Sequence, residues 1–121
     1  MAFGRKISGG KYHRFRKKKH YESRGITRKV KLAKVKKKSL RVKGGNIKSV
    51  LLSSEFANVM NPKTKKAKKS KILNVIETPS DRFLARQNVL VKSAIIETEL
   101  GKAKITNRPS QEPTIQAVLI E

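Results

Sequence analysis

The basic side chains of this protein are crowded into its first part. Residues 1–71 hold 25 of the 31 lysines and arginines with only Glu22 and Glu55 as acids, whereas the remaining 50 residues carry six of each sign. The whole net charge of +23 therefore belongs to the first segment. Like charge this dense opposes a compact state unless counterions or a partner neutralise it. Such a step divides the chain into a segment that meets a polyanion and a module that folds as an ordinary domain. Nucleic acid is the leading partner.

A length of 121 residues accommodates one domain, which commonly needs about 100–150 residues, and at most an additional arm. The sequence has no cysteine, which excludes disulfides, thiolate metal sites and cysteine nucleophiles together and fits a reducing compartment. No apolar run approaches the roughly 20 residues of a membrane span, and no apolar stretch follows the basic residues from Arg5 onward as a secretory signal requires. A soluble, cytoplasmic chain is the expectation. A basic membrane-surface helix would also use the charge, but Phe3, Ile7, Tyr12, Phe15 and Tyr21 are irregularly spaced and form no stripe to insert. No membrane partner is expected.

Residues 1–27 follow neither a period of two nor one of 3.6 and are rich in glycine, serine and basic residues, so they read as an extended arm that is unfolded on its own. Residues 28–121 read as a β-barrel domain. Segments rich in valine, isoleucine and leucine recur near 28–36, 39–43, 47–53, 56–60, 67–77, 89–97, 102–107 and 114–120, separated by turn residues. The predicted class is all-β: a small antiparallel, partly open β-barrel with one short helix and the basic N-terminal arm. Three turns support it. Gly44-Gly45-Asn46 supplies residues tolerant of positive φ for a tight hairpin, Asn61-Pro62-Lys63-Thr64 uses proline to preset a bend, and Leu100-Gly101-Lys102 separates two further strands. Thr78-Pro79-Ser80-Asp81 offers a cap before Arg82-Phe83-Leu84-Ala85-Arg86-Gln87, about two helical turns, expected to close one barrel end with Phe83 and Leu84 on the sheet. In the segment 29–36 the apolar parity breaks at Ala33, where a bulge or strand end would restore it. The stretch from Thr64 to Lys71 has no apolar face, so it is expected to project as a basic loop or hairpin tip.

The arm carries the most chemical information. In Arg14-Phe15-Arg16-Lys17-Lys18-Lys19-His20-Tyr21, with Tyr12 just before, cations stand beside aromatic rings, so phosphates can be neutralised while rings stack on exposed bases. A solvated tail or a targeting patch is the weaker reading of such a run, because a targeting patch has no use for the rings. Ser8-Gly9-Gly10-Lys11 lacks the spacing and the preceding strand of a phosphate loop and reads as flexible backbone able to approach RNA closely. His13 and His20 have no cysteine or acid cluster near them, so no metal site is expected. Glu97 and Glu99 share strand parity like an acid pair, yet Lys102 and Lys104 follow across the turn, which favours cross-strand ion pairing over catalysis. Asp81 is explained by the helix start. No catalytic constellation, cofactor motif or small-molecule substrate site is expected, and the chain reads as a non-enzyme.

Ser8-Gly9-Gly10 followed by Arg16-Lys17-Lys18-Lys19-His20-Tyr21-Glu22 resembles the signature of the archaeal and eukaryotic small-subunit ribosomal protein eight family, S8e. The resemblance continues through Arg41-Val42-Lys43-Gly44-Gly45-Asn46, Lys71-Ile72-Leu73-Asn74-Val75, Glu97-Thr98-Glu99-Leu100-Gly101-Lys102-Ala103 and Asn107-Arg108-Pro109 to the closing Ala117-Val118-Leu119-Ile120-Glu121. It spans essentially the whole chain, and the compact length resembles archaeal members. One departure is Ser23-Arg24-Gly25 after Glu22, where the family usually has a large apolar residue and then glycine.

The resemblance implies a small barrel with an rRNA-binding extension, acting as a structural constituent of the small ribosomal subunit in the cytoplasm beside neighbouring small-subunit proteins. A related eukaryotic branch acts in ribosome assembly, so a factor binding precursor rRNA is the alternative, and a DNA-compacting protein is a third reading. On the rRNA reading, Arg14, Arg16, Lys17, Lys18, Lys19 and Arg24 neutralise phosphates, with Arg5, Lys6, Lys11 and His20 on the same arm. Tyr12 and Tyr21 stack or pack against riboses. Lys43, Gly44, Gly45 and Lys48 present a basic hairpin, joined by Lys63, Lys65, Lys66, Lys68 and Lys69.

Overall fold

A computed structural model describes residues 4–13, 16–23, 25 and 27–120 of the chain. Nine strands and one short α-helix make up its regular structure: β1 (Val30–Leu32), β2 (Lys36–Arg41), β3 (Ile47–Ser54), β4 (Phe56–Met60), β5 (Ala67–Glu77), α1 (Arg82–Arg86), β6 (Val89–Leu90), β7 (Ile95–Thr98), β8 (Gly101–Ile105) and β9 (Gln116–Leu119). They form two sheets. Strands β4-β5-β7-β8-β9 close into a barrel, and β2-β3-β1-β6 form an open four-stranded sheet.

The all-β reading with one short helix holds, and the barrel is closed rather than partly open. Closure comes from a parallel pairing of β4 with β9, Asn58 opposite Gln116 and Val59 opposite Ala117, whereas the other barrel pairs are antiparallel. A closed five-stranded barrel is narrow, so its interior takes small residues beside large ones. Ala57, Ala103 and Ala117 accordingly pack among Val59, Ile72, Val75, Ile96, Ile105 and Ile115. Fully burying each valine or isoleucine contributes about 1.5–3 kcal/mol. In β4 the alternation is regular: Ala57 and Val59 point into the barrel while Asn58 and Met60 face out.

The two sheets are continuous through β3 and β4, which are nearly one strand bent at Glu55. The Ser54 hydroxyl organises the bend: it donates to the Phe56 carbonyl at 3.0 Å and accepts from the Phe56 N–H at 3.3 Å. The Glu55 carbonyl accepts from the Ile72 N–H at 2.8 Å, so the corner is tied to β5. Strand β3 does not alternate, because Val50 and Leu51 are both buried, as are Ser53 and Ser54. A strand covered on both faces loses the period of two. Part of that cover is the 108–112 loop, whose Pro109 and Glu112 carbonyls both accept from the Leu51 N–H at 3.3 Å.

The expected strands at 28–36 and 39–43 are β1 and β2, the first shorter than expected and the second starting earlier. Strand β1 ends at Leu32, just before the Ala33 position where parity breaks, and β2 starts at Lys36. The β2–β3 hairpin turns through Lys43–Gly45, with Gly44 at φ +77° and Gly45 at φ +76°, and the Val42 N–H donates to the Asn46 carbonyl at 2.9 Å. The strand expected near 67–77 is β5 with those bounds, so the projecting tip expected from Thr64 to Lys71 ends by Lys66, and 67–71 pair in register with β4 from Met60 opposite Ala67 to Phe56 opposite Lys71. Backbone pairing, not an apolar face, holds this segment, and Ser70 is its one buried side chain.

Helix α1 starts where its cap was read, with the Asp81 carboxylate accepting from the Phe83 N–H at 2.9 Å. Its packing differs from expectation. The helix lies against β5 and β6 and buries no residue fully. Ala85 packs against the core, while Phe83 is 54% exposed. In so short a helix one position faces the sheet squarely, and Ala85 takes it.

Candidate nucleic-acid interface

The arm holds two local structures. Arg5 and Lys11 form an antiparallel bridge, the Lys6 N–H donates to the Gly10 carbonyl at 2.9 Å, and the Gly9 N–H donates to the Lys6 carbonyl at 2.9 Å. Gly9 sits at φ +78°, so Ser8-Gly9-Gly10 is a defined turn rather than loose backbone. The Arg5 guanidinium donates to the Gly9 carbonyl at 3.1 Å, and Lys6 Nζ stands 5.7 Å from the centroid of the Tyr12 ring.

The second structure is a 3-10 turn, His20–Glu22. Arg16 and Glu22 form a two-pronged ion pair at 2.8 and 2.7 Å, and the Glu22 carboxylate also accepts from the Lys19 N–H at 3.3 Å, the reaching-back half of a capping box. The Arg16 guanidinium holds the Glu22 carboxyl below its ordinary pKa, and Glu22 raises that of Arg16. The Arg16 charge is thus matched within the arm, while Lys17, Lys18, Lys19, His20, Tyr12 and Tyr21 are exposed. Arg14, Phe15 and Arg24 lie outside the described residues.

On the folded part, the expected hairpin residues Lys43, Gly44, Gly45 and Lys48 are all exposed at the β2–β3 turn. The second tip is built on Asn61, whose side-chain oxygen accepts from the N–H groups of Lys63 at 2.9 Å and Thr64 at 3.4 Å. The Asn61 N–H donates to the Lys66 carbonyl at 3.0 Å, and Lys65 takes φ +53°. Lys68 and Lys69 continue from this tip onto β5 with opposite strand parity. Lys68 lies with Val59 at the mouth of the barrel. Lys69 turns outward, its ammonium 4.5 Å from the centroid of the Phe56 ring.

Sequence reasoning missed the edge of the open sheet. Strand β2 is outermost, and Lys36, Lys37, Lys38 and Arg41 on it are exposed. No acid lies within β1, β2, β3 or β6. The signal was present: three consecutive lysines in a strand cannot all face a core, so the strand must border solvent or a polyanion. Lys37 and Lys69 come together on one groove between the two sheets, of about 130 Å³, which Phe56, Asn58 and Pro113 also line. Among the described residues no three histidines, aspartates or glutamates gather as a metal site would require.

These features define a small β-barrel protein with a polycationic sheet edge and arm. Comparison with known proteins names its family. The family model for ribosomal protein S8e matches residues 2–120. The chain is similar to the protein named small ribosomal subunit protein eS8 in the archaea Sulfurisphaera tokodaii, 46% identical over 120 residues that cover 97% of this chain and 92% of that one. The corresponding protein of Ignicoccus hospitalis is 48% identical over 119 residues, with 97% and 92% covered. That of Methanocorpusculum labreanum is 45% identical over 117 residues, with 97% and 94% covered. The chain belongs to the ribosomal protein S8e family.

Proposed function

We propose that this protein is a structural constituent of the small ribosomal subunit, in the cytoplasm, binding rRNA through its arm and the basic edges of its fold. The observation that carries this reading is the distribution of charge. Exposed cations follow one another along β2, the β2–β3 turn, the 61–66 tip and the start of β5, with no acid among them. A surface of this kind has its counterions displaced by a phosphate backbone, the main source of affinity in nucleic-acid binding. The exposed rings of Tyr12 and Tyr21 beside the arm's lysines suit single-stranded or irregular RNA better than duplex DNA. Family membership and the printed names of the relatives support the placement in the small subunit.

On this reading residues 1–27 are the rRNA-binding arm and residues 28–121 the barrel domain, with neighbouring small-subunit proteins as further partners. The role is structural rather than catalytic. If about ten lysines and arginines meet phosphate, affinity for rRNA plotted against salt on logarithmic axes has a slope near −7 to −9. A slope shallower than about −3 overturns the broad footprint. Sedimentation of a native lysate through a high-salt gradient tests the placement. Stoichiometric recovery in mature small subunits is expected, and confinement to precursor particles would instead make the protein an assembly factor.

A further inference from the structure

The neutral half of the chain carries a second cationic feature, separate from the lysine-rich edge. Helix α1 places Arg82 and Arg86 beside the exposed Phe83 ring, with their guanidinium carbons 5.4 and 5.8 Å from its centroid. An aromatic ring left half in water on a helix that buries no residue fully contributes little to folding. Beside it lies a cleft of about 400 Å³ between α1 and the end of β5, lined by both arginines together with Asn74, Glu77, Thr78 and Asn88.

The polar groups of this cleft are mostly donors. The side-chain oxygens of Asn74 and Asn88 both accept from the Val75 N–H, at 2.9 and 3.3 Å, which leaves their amide nitrogens as the groups to be satisfied. Thr78 is 2% exposed and its hydroxyl has no hydrogen-bond partner. A buried hydroxyl without a partner is a costly arrangement that a ligand in the cleft would relieve. Two guanidiniums, two amide nitrogens and a hydroxyl, set against the single carboxylate of Glu77, make an environment for an anionic oxygen acceptor. The exposed Phe83 ring beside the guanidiniums adds an aromatic surface on which a nucleobase can stack.

We infer that the Arg82–Phe83–Arg86 helix and the adjoining cleft form a separate RNA contact, in which a backbone phosphate enters the cleft and an unstacked base lies on Phe83. This rests on the rRNA-binding reading above. It extends the footprint beyond the basic half of the chain, to a site made by arginines and an aromatic rather than by lysines.

Two measurements test it. A photo-crosslinking amino acid is placed at position 83, and separately at position 12 on the arm, in the full chain assembled into native small subunits. Crosslinks to rRNA from both positions are expected. RNA crosslinks from position 12 with only protein crosslinks from position 83 would overturn this inference and leave the rRNA-binding reading standing. An absence of RNA crosslinks from both would remove the reading itself. In solution, with transcribed small-subunit rRNA as the probe, Phe83→Ala should weaken binding about five- to tenfold. Arg82→Gln with Arg86→Gln should make the salt slope shallower by about 1–2. Unchanged affinity and slope in these variants, with the circular dichroism of the wild type, would likewise sink the contact.

Discussion

The barrel and the open sheet share a bent strand but are stabilised in different ways. The barrel has no free strand edge, and its interior is filled by aliphatic side chains from five strands. The open sheet has two edges, and β2 at one of them has Leu40 as its one half-buried side chain among lysines, a serine and an arginine. Closure and burial hold the barrel. The sheet leans on its inner strands and on the barrel, and its outer edge is a row of charge that a partner must neutralise. A small fold can therefore carry a polycation provided that the charge lies on an edge and the core lies elsewhere.

The largest effect should come from the barrel interior. Ile96 is 0% exposed and packs at the centre of the core. Ile96→Ala should cost about 2–5 kcal/mol in denaturant unfolding. Leu40→Ala on β2, where burial is partial, should cost about 1 kcal/mol or less. Equal losses would break the distinction between the two sheets.

Next in size is the hairpin that ends the open sheet. Gly45→Ala meets no atom within 4 Å, so its cost is the backbone strain of φ +76° alone, about 1–2 kcal/mol. A loss near zero would mean that the turn rearranges freely.

Replacing Lys36, Lys37 and Lys38 together by glutamine sharpens the comparison further. Folding stability at low salt should hold or rise by a few tenths of a kcal/mol, as repulsion along the edge falls. The salt slope for rRNA should become shallower by about 2–3. A destabilised fold with an unchanged slope would assign these lysines to structure.

The smallest effect belongs to the arm. The Glu22 carboxyl is depressed by Arg16, so its contribution to the turn is fully present above the ordinary glutamate pKa of about 4.3. That contribution is lost as pH falls through the lower folded value. Nuclear magnetic resonance titration of Glu22 should show a midpoint below that of the same residue in Arg16→Gln. Coincident midpoints would dissolve the ion pair.

Much of this was legible in local sequence, for stated reasons. Gly44-Gly45, Asn61-Pro62 and Asp81 act on backbone within a few residues, and each sits in the turn or cap it signals. The parity break at Ala33 marked the end of β1 within a residue. What local pattern does not contain is pairing between distant segments. Closure through β4 and β9, the two-sided burial of Val50 and Leu51, and the pairing of 67–71 all depend on partners elsewhere in the chain. The face of α1 differs from expectation for the same reason, since hydrophobicity favours Phe83, which is exposed, while Ala85 packs against the core. Of the candidate site, the loop and arm lysines were readable from composition. The row on β2 became meaningful once that strand was placed at an edge.

The parallel pairing of β4 with β9 has a consequence for the order in which the molecule is made. Asn58 waits for Gln116, so the barrel cannot close until residues 116–119 have left the synthesis machinery, whereas the β2–β3 hairpin needs only its own neighbourhood. Long-range pairing of this kind is slow, because loop closure precedes its reward. A chain ending at Thr114 should keep protected amides in 36–54 but lose protection at Asn58, whose N–H donates to the Ile115 carbonyl across the seam with β9, and protection at both would refute the sequence of events. During translation the lysine-rich half is thus exposed before the barrel can close, and its mutual repulsion keeps nascent chains apart while they wait.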